Sequence, residues 1–254
     1  MTACAEPPGT PADDSPAALR AELDRARRQL AFLHDLLGVA AHDLKNPISA
    51  LLLGTQRLGR IAGDPNPPQL KALAARLEAT VAGMNRLVEG LADLARLGSG
   101  RLTLERRQAP AAEVLRRAVE PFRAPARERC LDIVLDLAPD LPPVHWDLER
   151  IERVFAELLG RAVRVSPDGA AILVRAIRHP AGLLATVEDR GPGIPPEVLQ
   201  SLQEQRPSTA GARRAHDLGL LLAKGLVEAH RGRFAVESPA GQGCIFHITL
   251  PATF

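Results

Sequence analysis

Two short stretches hold the residues whose types and spacing could do chemistry. The first is HDLKNP, residues 42–47, where His42 stands beside Asp43 and Asn46 follows one helical turn after the histidine. An imidazole titrates near neutral pH and can act as a nucleophile, while an adjacent carboxylate can take or orient its proton. Pro47 removes one intrahelical hydrogen bond and crowds the carbonyl of residue 43, which costs roughly 3 kcal/mol in a regular helix interior. The bend therefore falls at the His-Asp pair. By itself this run reads more simply as an ordinary exposed histidine on a kinked helix.

The second stretch is VEDRGPGIPPEVL, residues 187–199. Asp189 ends an apolar strand pattern, and Gly191 and Gly193 follow one residue apart. Glycines let backbone approach a flat ligand closely, and a carboxylate there can accept hydrogen bonds from an amino group. A strand before and a helix after is the setting a nucleotide pocket needs. A tight Gly-Pro turn between strand and helix is the plainer alternative.

The elements that must position these residues are legible from periodicity. From Ala17 apolar or small residues recur at Leu19, Leu23, Ala26, Leu30, Leu33, Leu37, Ala40, Leu44, Pro47, Leu51, Leu58 and Ile61, spaced mostly by four and three. Ala40 on that seam turns His42 outward, and Gly54 is a seam position with no side chain. Such a helix of roughly 45 residues would be about 65 Å long. GDPNPP, residues 63–68, reads as a turn. A second helix follows through Leu70, Leu73, Leu77, Val81, Met84, Val88, Leu91 and Leu94 and ends at Gly98-Ser99-Gly100. This predicts an antiparallel hairpin whose apolar face closes as a four-helix bundle in a homodimer.

Beyond the Gly-Ser-Gly linker, RLTLERR reads as a strand, AAEVLRRAVEPF as a helix, LDIVLDL as a strand and ERIERVFAELLGRAV as an amphipathic helix. AILVRAI and LLATVEDR are strands joined by a turn at 179–182. PEVLQSLQ and LGLLLAKGLVEAH are helices around a polar stretch, and RFAVES and GCIFHITLP are closing strands. The expected domains are a disordered lead-in at 1–16, a helical hairpin at 17–98 and a second domain at 101–254. The expected fold class is α+β multidomain, the second domain being an α/β sandwich with helices on one face of a mixed sheet.

Composition narrows the function classes. A net charge of +2 without a long basic run disfavours nucleic acid as partner. The odd, dispersed cysteines Cys4, Cys130 and Cys244 offer no metal spacing and fit a reducing cytoplasm. No apolar run approaches the ~18 residues of a membrane span, and the acidic, Pro-rich start is unlike a signal peptide. With some ~15 residues before the first helix, no sensor domain is expected in this chain, and an input would arrive through the N-terminal helix or a partner.

His42-Asp43-Leu44-Lys45-Asn46-Pro47 resembles the phosphoacceptor box of sensor histidine kinases, and Asp189-Arg190-Gly191-Pro192-Gly193-Ile194 resembles their first glycine box. The tail from Leu218 is similar to the end of the same family's ATP-binding domain, and the likeness runs from about residue 28 to 251 in the family's order. Three ordered matches are far more specific than any one. The resemblance implies a dimerisation and phosphotransfer hairpin joined to an ATP-binding sandwich of the gyrase and chaperone type. It implies autophosphorylation of His42 from ATP with Mg²⁺, then transfer to an aspartate of a response regulator.

Carried over by residue, His42 is the implied nucleophile, Asp43 its acid/base or orienting partner, and Asn46 the residue that positions water for dephosphorylating the regulator. Asp189 is implied to bind the adenine amino group in a pocket shaped by Gly191, Gly193 and Ile194. Gly219 and Leu220 stand in the second glycine box, with Gly219 expected where a helix N-terminus favours phosphate.

This chain departs from the family in the helix ERVFAELLGRAVRVSP, where Glu157 and Arg161 replace the usual asparagines. Glu157, Arg161 and Arg164 fall at i, i+4 and i+7, a polar stripe opposite Val154, Leu158 and Ala162. Glu157 is a competent hard ligand for Mg²⁺, and the two arginines could cradle a triphosphate. Equally, Glu157 and Arg161 are spaced to pair with each other. Ala215, His216 and Asp217 stand where relatives carry glycines, and Arg213 and Arg214 lie in a short lid. Two outcomes follow: an active histidine kinase, or a catalytically degenerate dimeric phosphotransfer or scaffold protein. A regulator phosphatase acting through Asn46 is compatible with either.

Overall fold

The structure, a computed structural model, describes residues 67–204, 214–239 and 241–252, together with 47–56 and the helical positions 20, 23, 24, 27, 30, 44 and 45. The lead-in at 1–16 and most of the first long helix, His42, Asp43 and Asn46 included, lie outside the described residues. Helix α1, residues 47–56, is followed by α2, Pro67–Gly98. The two touch: a side chain at Gly54 would collide with Leu77, so the empty seam position is where the second helix seats its leucine. Helix α2 starts inside the stretch expected to be a turn. Pro67 and Pro68 occupy its first turn, where a missing N–H has no intrahelical partner to lose.

The remaining elements are β1 (Arg107–Pro110), α3 (Ala111–Glu128), β2 (Asp132–Leu137), β3 (Pro143–Trp146), α4 (Leu148–Val165), β4 (Ala171–His179), β5 (Gly182–Asp189), α5 (Pro196–Glu204), α6 (Arg214–Ala229), β6 (Arg233–Glu237) and β7 (Cys244–Leu250). They form a mixed five-stranded sheet in the order β2-β4-β5-β7-β6 and a small antiparallel pair, β1-β3. Only β2 and β4 run parallel, joined by a crossover through α4; the other neighbours are antiparallel. The α/β sandwich over a mixed sheet is as expected.

Register explains how the sheet carries its core. Val174, Val187 and Phe246 face one another across β4, β5 and β7, as do Ala176, Ala185 and Ile248, and all six are fully buried. Helices α4 and α6 bring Ile151, Val154, Phe155, Leu158, Leu159, Leu222, Leu226 and Val227 onto that face. The same register sets Asp189 directly opposite Cys244 at one end of the sheet. A polar group is thereby placed on the core face where the strands end.

Three local expectations are corrected. Residues 101–106 are not a strand; pairing starts at Arg107, against Trp146 of β3, a strand that the four residues PVHW did not announce. Helix α3 does not stop at Phe122 but runs through Pro121 and Pro125 to Glu128, because Ala126 extends the buried face of Val114, Leu115, Ala118 and Val119. Helix α6 begins at Arg214 rather than Leu218, since residues 214–217 contain no helix breaker. Gly219 therefore lies inside a helix, more than one turn from its N-terminus.

Candidate nucleotide site

Helix α4 starts well anchored. Asp147 caps it, accepting from Arg150 N at 3.3 Å and, through its other oxygen, from Glu105 N at 3.0 Å. Arg150 then donates to Asp147 at 3.1 Å and to Asp93 of α2 at 2.7 Å, while Arg96 adds a bond to the same Asp93 oxygen at 3.2 Å. His230 closes the cluster: Nε2 accepts from Asp147 N at 3.1 Å and Nδ1 donates to Leu226 O at 2.8 Å. Burial holds the His230 imidazole below its usual pKa of 6.5, against the pull of the Leu226 carbonyl. One turn on, Arg153 pairs with Glu89 of α2 at 3.2 Å and donates to the Arg86 carbonyl.

The other end of α4 meets the end of β5. Asp189 is fully buried, and its Oδ1 accepts from Gly191 N at 2.8 Å. A side chain at Gly191 would run into Val165, so glycine is what lets the loop close over the helix. Gly193 has φ +92°, a conformation that favours glycine, and Ile194 is buried with its N–H given to Ser238 Oγ at 2.6 Å.

Arg161 does not pair with Glu157. Its side chain turns inward, leaving the residue 7 % exposed, and sets Nε 3.6 Å from Asp189 Oδ2. Its Nη2 donates to Gly193 O at 3.1 Å and reaches Cys244 Sγ at 3.3 Å, and the guanidinium lies over the Phe246 ring at 5.9 Å. Neither Arg161 Nε nor Asp189 Oδ2 receives or makes a hydrogen bond. The expected polar stripe is thus broken at its middle residue, because a partner from β5 competes with the neighbour one turn away.

Glu157 is half-buried, and its carboxylate packs against Gly219, where any side chain would collide with it. Burial pushes the Glu157 carboxyl above its usual 4.5, opposed by Arg153, Arg86 and Arg164. The Arg164 guanidinium is held below its ordinary pKa by burial and by neighbouring Arg161, with Glu157 pulling the other way. Leu220 is buried beside Gly219 and faces the core, so it shapes the site only through packing. Residues 205–213, Arg213 among them, lie outside the described residues, as do the side chains of Arg214, Ala215, His216 and Asp217.

The structure thus brings together Asp189, Gly191, Gly193, Ile194 and Arg161, and separately Glu157 with Gly219. Sequence reasoning missed Ser238, Cys244 and Phe246. The strict alternation of GCIFHITL places Cys244 and Phe246 on one face, which was a usable signal once β7 was paired with β5. Burial raises the Cys244 thiol, which contacts Ser238 Oγ at 3.3 Å. An adenine nucleotide fits this donor set in one specific respect. Asp189 Oδ2 is a buried acceptor without a donor, the group an exocyclic amino hydrogen requires.

Comparison with known proteins agrees with this geometry. Residues 32–100 match the His Kinase A (phospho-acceptor) domain, and residues 146–253 match the histidine kinase-, DNA gyrase B- and HSP90-like ATPase. The chain belongs to the sensor histidine kinase family. Among curated relatives of the chain, the adaptive-response sensory kinase SasA of Gloeothece citriformis is 29 % identical over 244 residues, covering 92 % of this chain but 61 % of the relative. The chain therefore spans less than two thirds of that protein's length.

Of solved structures, the Acinetobacter baumannii histidine kinase AdeS is 26 % identical with a TM-score of 0.62, covering 83 % of this chain and 98 % of that one. Histidine kinase ThkA in complex with response regulator protein TrrA shares the fold at 21 % identity and a TM-score of 0.64, covering 95 % and 68 %. Among the described residues, no helix is long and apolar enough to cross a membrane.

Proposed function

We propose that the chain is an ATP-dependent protein histidine kinase that phosphorylates itself on His42 and passes the phosphoryl group to an aspartate of a response regulator. The observation that carries the reading is Asp189: a fully buried carboxylate at the end of β5, wrapped by Gly191 and Gly193, with one oxygen lacking a donor. In a chain that also holds the phosphoacceptor run HDLKNP, this pairs a nucleotide site with a nucleophile.

In this reading ATP supplies the γ-phosphoryl group when bound. His42 offers the lone pair of one ring nitrogen, and Asp43 orients or removes the proton on the other. Asp189 fixes the base through its amino group, and Gly191, Gly193 and Ile194 keep the loop close enough to exclude water. Arg164, exposed at the end of α4, is placed to favour phosphate oxygens. Mg²⁺ is commonly held by one or two carboxylates together with substrate phosphates, and Glu157, a single carboxylate amid Arg153, Arg86 and Arg164, fits the first part of that set. Asn46 would position water in the reverse, regulator-dephosphorylating direction.

The homodimer has support in the hairpin's surface. Ile48, Leu52 and Leu53 of α1 and Val81 and Val88 of α2 are exposed large apolar side chains, a face that a second copy would cover. The ThkA complex with TrrA, on the same fold, supports a response regulator as the acceptor.

The test is incubation of the full chain with γ-labelled ATP and Mg²⁺. Acid-labile, alkali-stable label that disappears in His42→Asn is the expected result. Absence of label, with nucleotide binding also absent, would overturn the reading.

A further inference from the structure

Asp189 already has an occupant. Arg161 comes from the opposite wall, α4, and lays its guanidinium against the one carboxylate oxygen that no hydrogen bond satisfies. The contact is close in charge but poor in bonding. At 3.6 Å it lies beyond a normal N–H···O distance, and both atoms are left unpartnered in the interior. The other attachments of Arg161 are one carbonyl, Gly193 O, one thiol, Cys244 Sγ, which accepts weakly, and the face of Phe246. A buried acceptor in this state gains most from any donor that reaches it in good geometry.

We propose that Arg161 gates the nucleotide site: its guanidinium holds the place on Asp189 Oδ2 that a base amino group must take, so a nucleotide enters by displacing the arginine. The inference rests on the reading of Asp189 as the base acceptor and adds to it a residue that sets affinity. The closed form is charge-neutral in the interior, with Asp189 fully buried and Arg161 nearly so. The incoming amino group donates to Oδ2 the hydrogen bond that Nε does not make. A released guanidinium has an alternative partner in Glu157, four residues back on the same helix. Because Arg161 also holds Gly193 O, its departure frees the glycine loop at the moment the base arrives.

A site whose competent form is a minor fraction binds more weakly in proportion to that fraction, so a gate closed nine times in ten conceals about tenfold in affinity. The test is calorimetric titration of the full chain with ATP in EDTA, so that no metal enters the comparison. Arg161→Asn is expected to bind ATP about tenfold tighter than wild type, Arg161→Lys to return towards wild type, and Arg161→Asn combined with Asp189→Asn to lose the gain. Equal or weaker binding by a folded Arg161→Asn variant overturns the gate and leaves the nucleotide site standing. Absence of binding in every variant with native melting removes both the site and the gate.

If Arg161→Asn does not fold, the wild-type protein decides. The buried Arg161 Nε–H resonance, assigned by its loss in Arg161→Lys, should shift or broaden out on saturation with ATP. An unmoved resonance with nucleotide bound overturns the proposal.

Discussion

Two arginines on the same helix meet buried aspartates in opposite ways. Arg150, at the start of α4, gives Asp93 a bond of 2.7 Å and Asp147 one of 3.1 Å, and the Asp147 carboxylate also accepts from the backbone N–H groups of Glu105 and Arg150. Arg161, near the end of α4, stands 3.6 Å from Asp189 with both facing atoms unsatisfied. A buried ion pair offsets its desolvation when hydrogen bonds complete it, and otherwise barely does so. The first pair therefore ties α2 to α4, whereas the second holds a site in readiness for a better donor.

The largest effect should come from breaking the satisfied cluster. Arg150→Ala leaves Asp93 and Asp147 short of their cation, and the loss of unfolding free energy in urea should be about 3 kcal/mol. A loss near zero would show that α2 and α4 are held by their apolar contacts alone. The same cluster should fail in acid. His230 is kept neutral in the folded state, with its pKa lowered by burial, so its contribution is complete above pH 6.5 and is lost as pH falls further, when the unfolded chain takes up a proton that the folded one resists. The slope can reach about 1.4 kcal/mol per pH unit for one proton. His230→Gln should flatten the fall in stability below pH 6.5. An unchanged slope would place the acid sensitivity in other groups.

The unsatisfied pair should matter less to folding. Arg161→Asn should cost about 1 kcal/mol, because no hydrogen bond to Oδ2 is lost. A cost equal to that of Arg150→Ala would make the pair a structural lock and not a gate. Smallest of all should be the well-made but exposed pair Arg117–Glu152, whose arginine side chain is 56 % exposed. Arg117→Ala should change stability by a few tenths of a kcal/mol, detectable only as a small shift in urea midpoint and fading with added salt.

Most of the fold was legible because its elements carry clean periods: α2, α4, β4, β5 and β7 appear where the apolar pattern puts them. The failures have local causes. PVHW is too short and too Pro-rich to signal β3, and two internal prolines hid the continuation of α3, whose buried face overrides them. Within the site, Asp189, Gly191 and Gly193 could be recognised from spacing, since strand end and turn are local features. The direction of Arg161 could not. Helical spacing points it at Glu157, and only the sheet register that sets β5 beside β7 brings Asp189, Cys244 and Phe246 within its reach.

The central claim is that the carboxylate at the end of β5 serves the histidine of the hairpin. It is tested by the rate at which His42 acquires label from γ-labelled ATP in wild type and in Asp189→Asn, at subsaturating nucleotide and with native melting verified. The account predicts a loss of about 10- to 100-fold in Asp189→Asn, as expected for one charge-assisted hydrogen bond of roughly 1.5–3 kcal/mol. Labelling of His42 at an undiminished rate would contradict it.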